Sequence, residues 1–171
     1  PLLDVIHRAQ MDAGRADVSL APMFNTRVSI AQGPITVRNA YTLCPFENTV
    51  RVLELTGEDL KAALEYGAGT CTGYDFGRSG QPAAAGVFQG FNFDVAEGVT
   101  YSVDLTRPAG QRIRDLAWRG RPLAPGKRLR VAVSNYRMNG GGGFDMLKGK
   151  PVLSSSEVPT RDLLVAEFRR L

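Results

Sequence analysis

Residues 49–67 read TVRVLELTGEDLKAALEYG, and the hydrophobic period changes once within them. Over 49–55 apolar and polar residues alternate, with Val50, Val52 and Leu53 beside Arg51 and Glu54, the period-2 pattern of a half-buried strand. Thr56-Gly57-Glu58-Asp59 follows as a near capping box, Asp59 standing where Glu is usual, so the chain passes directly from strand into helix. Leu60, Ala63 and Leu64 then share one helical face, which must find a core.

The elements predicted on either side fit the same architecture. Leu2, Val5, Ile6, Ala9 and Ala13 recur at helical spacing over 2–13, with Gly14 as the stop. Val18-Ser19-Leu20-Ala21 predicts a short buried strand, and 22–34 a loop carrying Asn25 and Arg27. Thr36 can N-cap a short helix through Leu43, ended by Pro45. Residues 67–86, rich in Gly, Ala, Ser and Thr, predict a long loop, and loops of that length are usually functional or mobile. Strands are expected at 87–93, 100–105, 113–118 and 129–134, with a turn at Arg119-Gly120-Arg121. Thr160 can cap a last helix that turns Leu163, Leu164 and Phe168 inward. Helices at both ends and strands between them predict an α+β single domain, a mixed β-sheet packed with helices.

The chain has 171 residues, enough for one domain with a real core, and 43% of them are hydrophobic. Lys plus Arg is 21 against 17 Asp plus Glu, a net charge of +4. These charges are spread along the sequence, so a nucleic-acid partner is not expected. No run of about 18 apolar residues predicts a membrane span, and no signal-peptide pattern is present. The chain opens at Pro1 without Met and is read as a trimmed or partial sequence, from which a localisation signal can have been removed. Cys44 and Cys71 permit one disulfide and are read first as two ordinary thiols.

Self-contained hydrolytic chemistry finds few residues here. The one histidine, His7, is read as a surface or helix-face residue, and a catalytic zinc or two-metal site needs several converging ligands. There is no H-E-x-x-H, C-x-x-C, G-x-S-x-G or P-loop pattern, and no carboxylate pair stands out as a glycosidase dyad. What remains is a binding surface. Phe46 follows Cys44-Pro45 in a loop, and Tyr136 sits past a strand end before the glycines 140–143. Such aromatics can stack on a flat ligand, glycine backbone can approach one closely, and Arg27 can pair with phosphate. On residue type alone, Phe46 is read as a core aromatic before a stacking one, Arg27 as a solvated loop residue, and the glycine run equally as a turn.

The order of longer segments is more specific. Gly33-Pro34-Ile35-Thr36-Val37-Arg38-Asn39 leads to Pro45-Phe46-Glu47-Asn48-Thr49, then Leu55-Thr56-Gly57-Glu58-Asp59-Leu60. Phe91-Asn92-Phe93-Asp94-Val95 and Asn135-Tyr136-Arg137-Met138-Asn139 with the four glycines follow. Together these resemble the C-terminal, substrate-binding domain of the 5′-nucleotidase family. The Phe-Asn-Phe-Asp-Val and Asn-Tyr-Arg segments look most like its 2′,3′-cyclic-nucleotide 2′-phosphodiesterase/3′-nucleotidase branch. The similarity runs in order over nearly the whole chain.

The resemblance implies a nucleotide or nucleoside ligand, and a metallophosphoesterase domain in cis, N-terminal to this one, that holds a divalent metal pair. It implies no cofactor and no catalytic residue in this chain. It puts Phe46 and Tyr136 at the two base-stacking positions, the latter following Asn135. Arg27 matches the family Arg on the phosphate or ribose side. Asn25 lies near the family's Asn-Gly-Gly-Gly-Ile-Arg loop, although Phe24-Asn25-Thr26 replaces the glycines. Backbone at Gly141 and Gly142 is expected at the sugar. Gly142 stands where the family has a ribose-binding Asp, a departure that favours ligands lacking free 2′ and 3′ hydroxyls, and Gly142→Asp is expected to shift preference toward free nucleosides. The resemblance also implies a periplasmic or cell-surface setting. The alternative is a structural or protein-interaction module whose pocket has decayed.

Overall fold

A computed structural model describes residues 2–23, 29–30, 32–71 and 90–170. The elements run α1 (Leu2–Gly14), β1 (Val18–Pro22), α2 (Val37–Leu43), β2 (Thr49–Thr56), α3 (Gly57–Gly69), β3 (Asp94–Glu97) and β4 (Val99–Val103). β5 (Ile113–Trp118), β6 (Arg121–Pro122), β7 (Arg128–Ser134), α4 (Asn135–Met138), β8 (Val152–Pro159) and α5 (Thr160–Phe168) complete them. The main sheet has the order β3-β1-β7-β2-β8, in which only β1 and β7 are parallel. A small antiparallel sheet, β4-β5-β6, stands apart. The fold is the expected α+β domain.

The main sheet has a core on each face. Leu20, Leu53, Leu55, Leu129 and Val131 pack on the face covered by α3, with Leu60, Leu64 and Phe144. Ala21 packs on the other face, covered by α1, α2 and α5, with Ile6, Ala40 and Leu164. Successive strand residues point to opposite faces, so the all-buried β1 serves both cores. β7, between β1 and β2, is buried from Val131 to Val133.

The helix after β2 starts as expected. Thr56 Oγ1 accepts from Asp59 N at 3.1 Å, and an Asp59 carboxylate oxygen accepts from Thr56 N at 3.0 Å. Lys150 pairs with Asp59 at 2.8 Å. α3 runs on to Gly69, so the first residues of the expected 67–86 loop are helical, and 72–86 lie outside the described residues. Thr36 is the N-cap residue of α2, and its N–H donates to Asn39 Oδ1 at 2.7 Å.

Five points depart from the sequence reading. Of the strand expected at 87–93, residues 87–89 lie outside the described residues, Gly90–Asn92 is a 3-10 turn, and β3 starts only at Asp94. β8 is not predicted, because VLSSSEVP is polar and half-exposed; its pairing with β2 at the sheet edge makes it a strand. Pro159, not Thr160, is the N-cap residue of α5, and Thr160 N instead donates to Asn48 O at 2.8 Å. Ala13 is exposed, while His7 and Gln10 join the buried face of α1.

The fifth concerns His7, which is buried, 2% exposed, rather than at the surface. Ser19 Oγ donates to Gln10 Oε1 at 3.3 Å, so it accepts from His7 Nδ1–H at 2.9 Å. That pattern puts a proton on Nδ1, and burial favours the neutral imidazole. Burial lowers the His7 pKa to about 4, against a smaller upward pull from Asp4. Cys44 and Cys71 are both free and buried, and burial pushes the Cys44 thiol up to about 11. No helix among the described residues is long and apolar enough to cross a membrane.

Candidate functional site

The topology brings three loops to one end of the main sheet. β1 and β7 are parallel, so their last residues, Pro22 and Ser134, lie at the same end. β2 is antiparallel to β7, with Val50 opposite Ser134, which delivers Phe46 and Asn48 there. β3 is antiparallel to β1, with Asp94 opposite Pro22, which delivers Phe91 and Asn92. A hollow of about 230 Å³ opens between these segments, walled by Phe46, Phe91 and Tyr136, with Asn48, Asn92, Ser134 and Arg137 as its polar lining. The three aromatics are 56%, 51% and 53% exposed, respectively. Large apolar rings at half exposure around one concavity are a binding feature rather than a core feature.

Each wall is held from behind. Ser134 caps the single turn of α4, its Oγ accepting from Arg137 N at 3.1 Å, and this turn presents Tyr136 outward and Arg137 inward. Arg137 is 2% exposed and binds Asp94 by three hydrogen bonds of 2.7–3.2 Å. Its Nη1 donates to Gly141 O at 2.9 Å, its Nη2 donates to Phe91 O, and its guanidinium lies 4.2 Å from the Phe144 ring centroid. One buried cation thus ties the Tyr136 turn, the glycine run and the Phe91 turn together. Burial pushes the Asp94 carboxyl above the usual carboxylate range, against the pull of Arg137.

The glycines have steric reasons. A Cβ on Gly141 would stand 2.5 Å from the Tyr136 ring, so glycine lets the backbone lie against that ring. Gly142 has φ +70°, and a Cβ there would run into Arg137 Nη1 and Asn92 Oδ1. Its carbonyl accepts from Tyr66 OH at 2.8 Å. Gly142→Asp would therefore disturb the Arg137 network as well as any ribose contact, which removes it as a clean probe of sugar preference.

Of the residues singled out from the sequence, Phe46 and Tyr136 share the hollow, and Phe46 is not a core residue. Asn135 is not in the lining; its Oδ1 accepts from Thr49 N at 3.0 Å and ties α4 to β2. Gly141 and Gly142 lie behind the walls through Tyr136 and Arg137. Asn25 and Arg27 lie outside the described residues. Sequence reasoning assigns no role to Phe91, Asn92, Asp94 or Arg137, although all four stand in the quoted motifs. Among the described residues no three His, Cys, Asp or Glu side chains are grouped to hold a metal ion.

Fold and hollow together describe an α+β domain with an aromatic-walled hollow at one end of its main sheet. The chain belongs to the 5′-nucleotidase family: residues 1–149 match the family described as 5′-nucleotidase, C-terminal domain. It is 34% identical over 154 residues to the trifunctional nucleotide phosphoesterase protein YfkN of Bacillus subtilis, covering 82% of this chain and 10% of that protein. It is 34% identical over 129 residues to a 2′,3′-cyclic-nucleotide 2′-phosphodiesterase/3′-nucleotidase of Salmonella typhimurium, covering 67% of this chain and 20% of that one. The 5′-nucleotidase precursor from Thermus thermophilus superposes with a TM-score of 0.79 at 28% identity, over 97% of this chain and 31% of the other. The chain thus spans a tenth to a fifth of the length of these two curated relatives.

Proposed function

We propose that this chain is the substrate-recognition domain of a nucleotide phosphohydrolase, of the 5′-nucleotidase or 2′,3′-cyclic-nucleotide phosphodiesterase type. The observation that carries the reading is the hollow walled by Phe46, Phe91 and Tyr136. A nucleobase enters it and stacks between Phe46 and Tyr136. Stacking on an aromatic side chain is worth about 1–3 kcal/mol per base. Asn48 and Asn92 offer amide groups to the base edge. Arg137 is committed to Asp94; the family resemblance assigns the anionic oxygens to Arg27 and Asn25, and the sugar to backbone N–H groups at Gly141 and Gly142, whose carbonyls are taken by Arg137 and Tyr66.

In this reading the chain binds and orients, and bond cleavage belongs to a metallophosphoesterase domain in cis that carries a divalent metal pair. The relatives' names, which specify nucleotide phosphoesterase and cyclic-nucleotide phosphodiesterase activities, support the phosphohydrolase reading, and the small share of their length that this chain spans leaves room in them for such a domain. A periplasmic or cell-surface setting goes with it.

Calorimetric titration with adenosine, AMP and 2′,3′-cyclic AMP tests the reading, with phosphate release assayed in the same samples with added Mn²⁺. Saturable binding without turnover is expected, and Phe46→Ala is expected to weaken it by about 1–3 kcal/mol. Unchanged affinity in Phe46→Ala would remove the stacking assignment, and turnover by this chain alone would remove the division of labour.

A further inference from the structure

The Phe91–Asn92 turn is closed and held by three hydrogen bonds. Phe93 N donates to Gly90 O at 3.2 Å to close it, and Met23 N donates to Phe93 O at 3.1 Å to fix it to the end of β1. Arg137 Nη2 holds the Phe91 carbonyl from the buried side. Gly67 of α3 packs beside the turn, where a Cβ would make ordinary van der Waals contact, 3.5 Å, with Asn92 O. Yet the side chain this turn presents, Phe91, is a half-exposed ring on the wall of the hollow. Holding an apolar ring in water on a fixed backbone lowers the ordering cost of a ligand that covers it.

Asn92 adds a second observation. Its Oδ1 is buried without a hydrogen-bond partner. Oδ1 and Arg137 Nη1 both lie within 2.5 Å of the point a Cβ on Gly142 would occupy, so the amide oxygen faces the guanidinium side. Turning the amide over would put its N–H groups against that cation. The oxygen therefore stays inside, which leaves the amide nitrogen as the end that can reach a ligand.

We propose that the Phe91–Asn92 turn is a specificity element of this hollow: Phe91 forms its third aromatic wall against the base, and Asn92 Nδ2 donates to an acceptor on the base edge. This rests on the nucleotide-binding reading. It assigns the turn a direct contact with ligand, and Arg137 the part of a positioning residue behind it.

The test compares Phe91→Ala, Phe91→Tyr, Asn92→Asp and Phe46→Ala by calorimetry, with adenosine as probe and ribose 5-phosphate as the ligand lacking a base. Phe91 is half exposed, so its variants are expected to keep the parent's circular dichroism and melting temperature. Phe91→Ala is expected to weaken adenosine binding about 5- to 100-fold and Phe91→Tyr less than about threefold. Asn92→Asp, which exchanges the donor for an acceptor in the same shape, is expected to weaken it about tenfold. Ribose 5-phosphate binding is expected to be unchanged in all four. If Phe46→Ala loses affinity while Phe91→Ala and Asn92→Asp bind adenosine like the parent, the proposal falls and the base-stacking reading stands. If Phe46→Ala is also unaffected, or the parent does not bind adenosine, both fall together.

Discussion

Arg137→Met is expected to destabilise the fold by about 3–5 kcal/mol, because it leaves the Asp94 carboxylate buried without its partner. Met keeps most of the aliphatic volume, so the loss reports the missing charge and hydrogen bonds rather than a cavity. The double variant Asp94→Leu/Arg137→Met is expected to recover much of the loss. Replacing both members of a buried pair with apolar groups is often near neutral, whereas removing one is not. Binding should not recover with stability, since Gly141 O and Phe91 O still lack the donor that sets the Tyr136 and Phe91 walls. Urea unfolding and adenosine titration of both variants separate the two effects. A single variant as stable as the parent would show that the pair does not hold this end of the sheet.

The second large effect is a pH dependence set by His7. Its pKa is 6.5 when exposed and is lowered to about 4 by burial, so between these values the unfolded chain binds a proton that the folded chain does not. Stability from the neutral imidazole is complete above about pH 6.5, falls as pH drops, and is gone near pH 4. The full swing is roughly 3 kcal/mol at about 1.36 kcal/mol per pKa unit. His7 is the single histidine of the chain, and in His7→Gln the amide can still donate to Ser19 Oγ without titrating. Asp94, raised by burial, contributes a slope of opposite sign, so the informative quantity is the difference between the parent and His7→Gln. Urea unfolding at intervals from about pH 7.5 down to about pH 4.5, the span over which a histidine of this kind changes charge, is expected to show the parent losing stability faster. Parallel curves would mean that His7 is not held neutral.

The parts of the fold legible in the sequence are those fixed by local chemistry. The capping box at Thr56, the period-2 run of β2 and the turn at 119–121 each announce themselves within a few residues. β8 does not, because its polar serines become a strand only by pairing with β2 at the sheet edge. β3 starts at Asp94 because Arg137, 43 positions away, gives that carboxylate a buried partner. His7 misleads for a similar reason: Ser19 and Gln10 supply the polar company that lets it enter the core. The site divides in the same way. Phe46 and Tyr136 come from motif order, whereas residue type alone favours a core role for Phe46. Phe91 and Asn92 acquire a role only when the antiparallel pairing of β3 with β1 carries them to the end of the sheet where β7 delivers Tyr136.

The most direct measurement is a crystal structure of the protein soaked or grown with AMP. The base is expected in the hollow, its ring stacked between Phe46 and Tyr136, with Phe91 against its edge and the Arg137–Asp94 pair unchanged behind it. A base bound elsewhere on the domain, with the hollow empty and the three rings as exposed as before, would contradict the account.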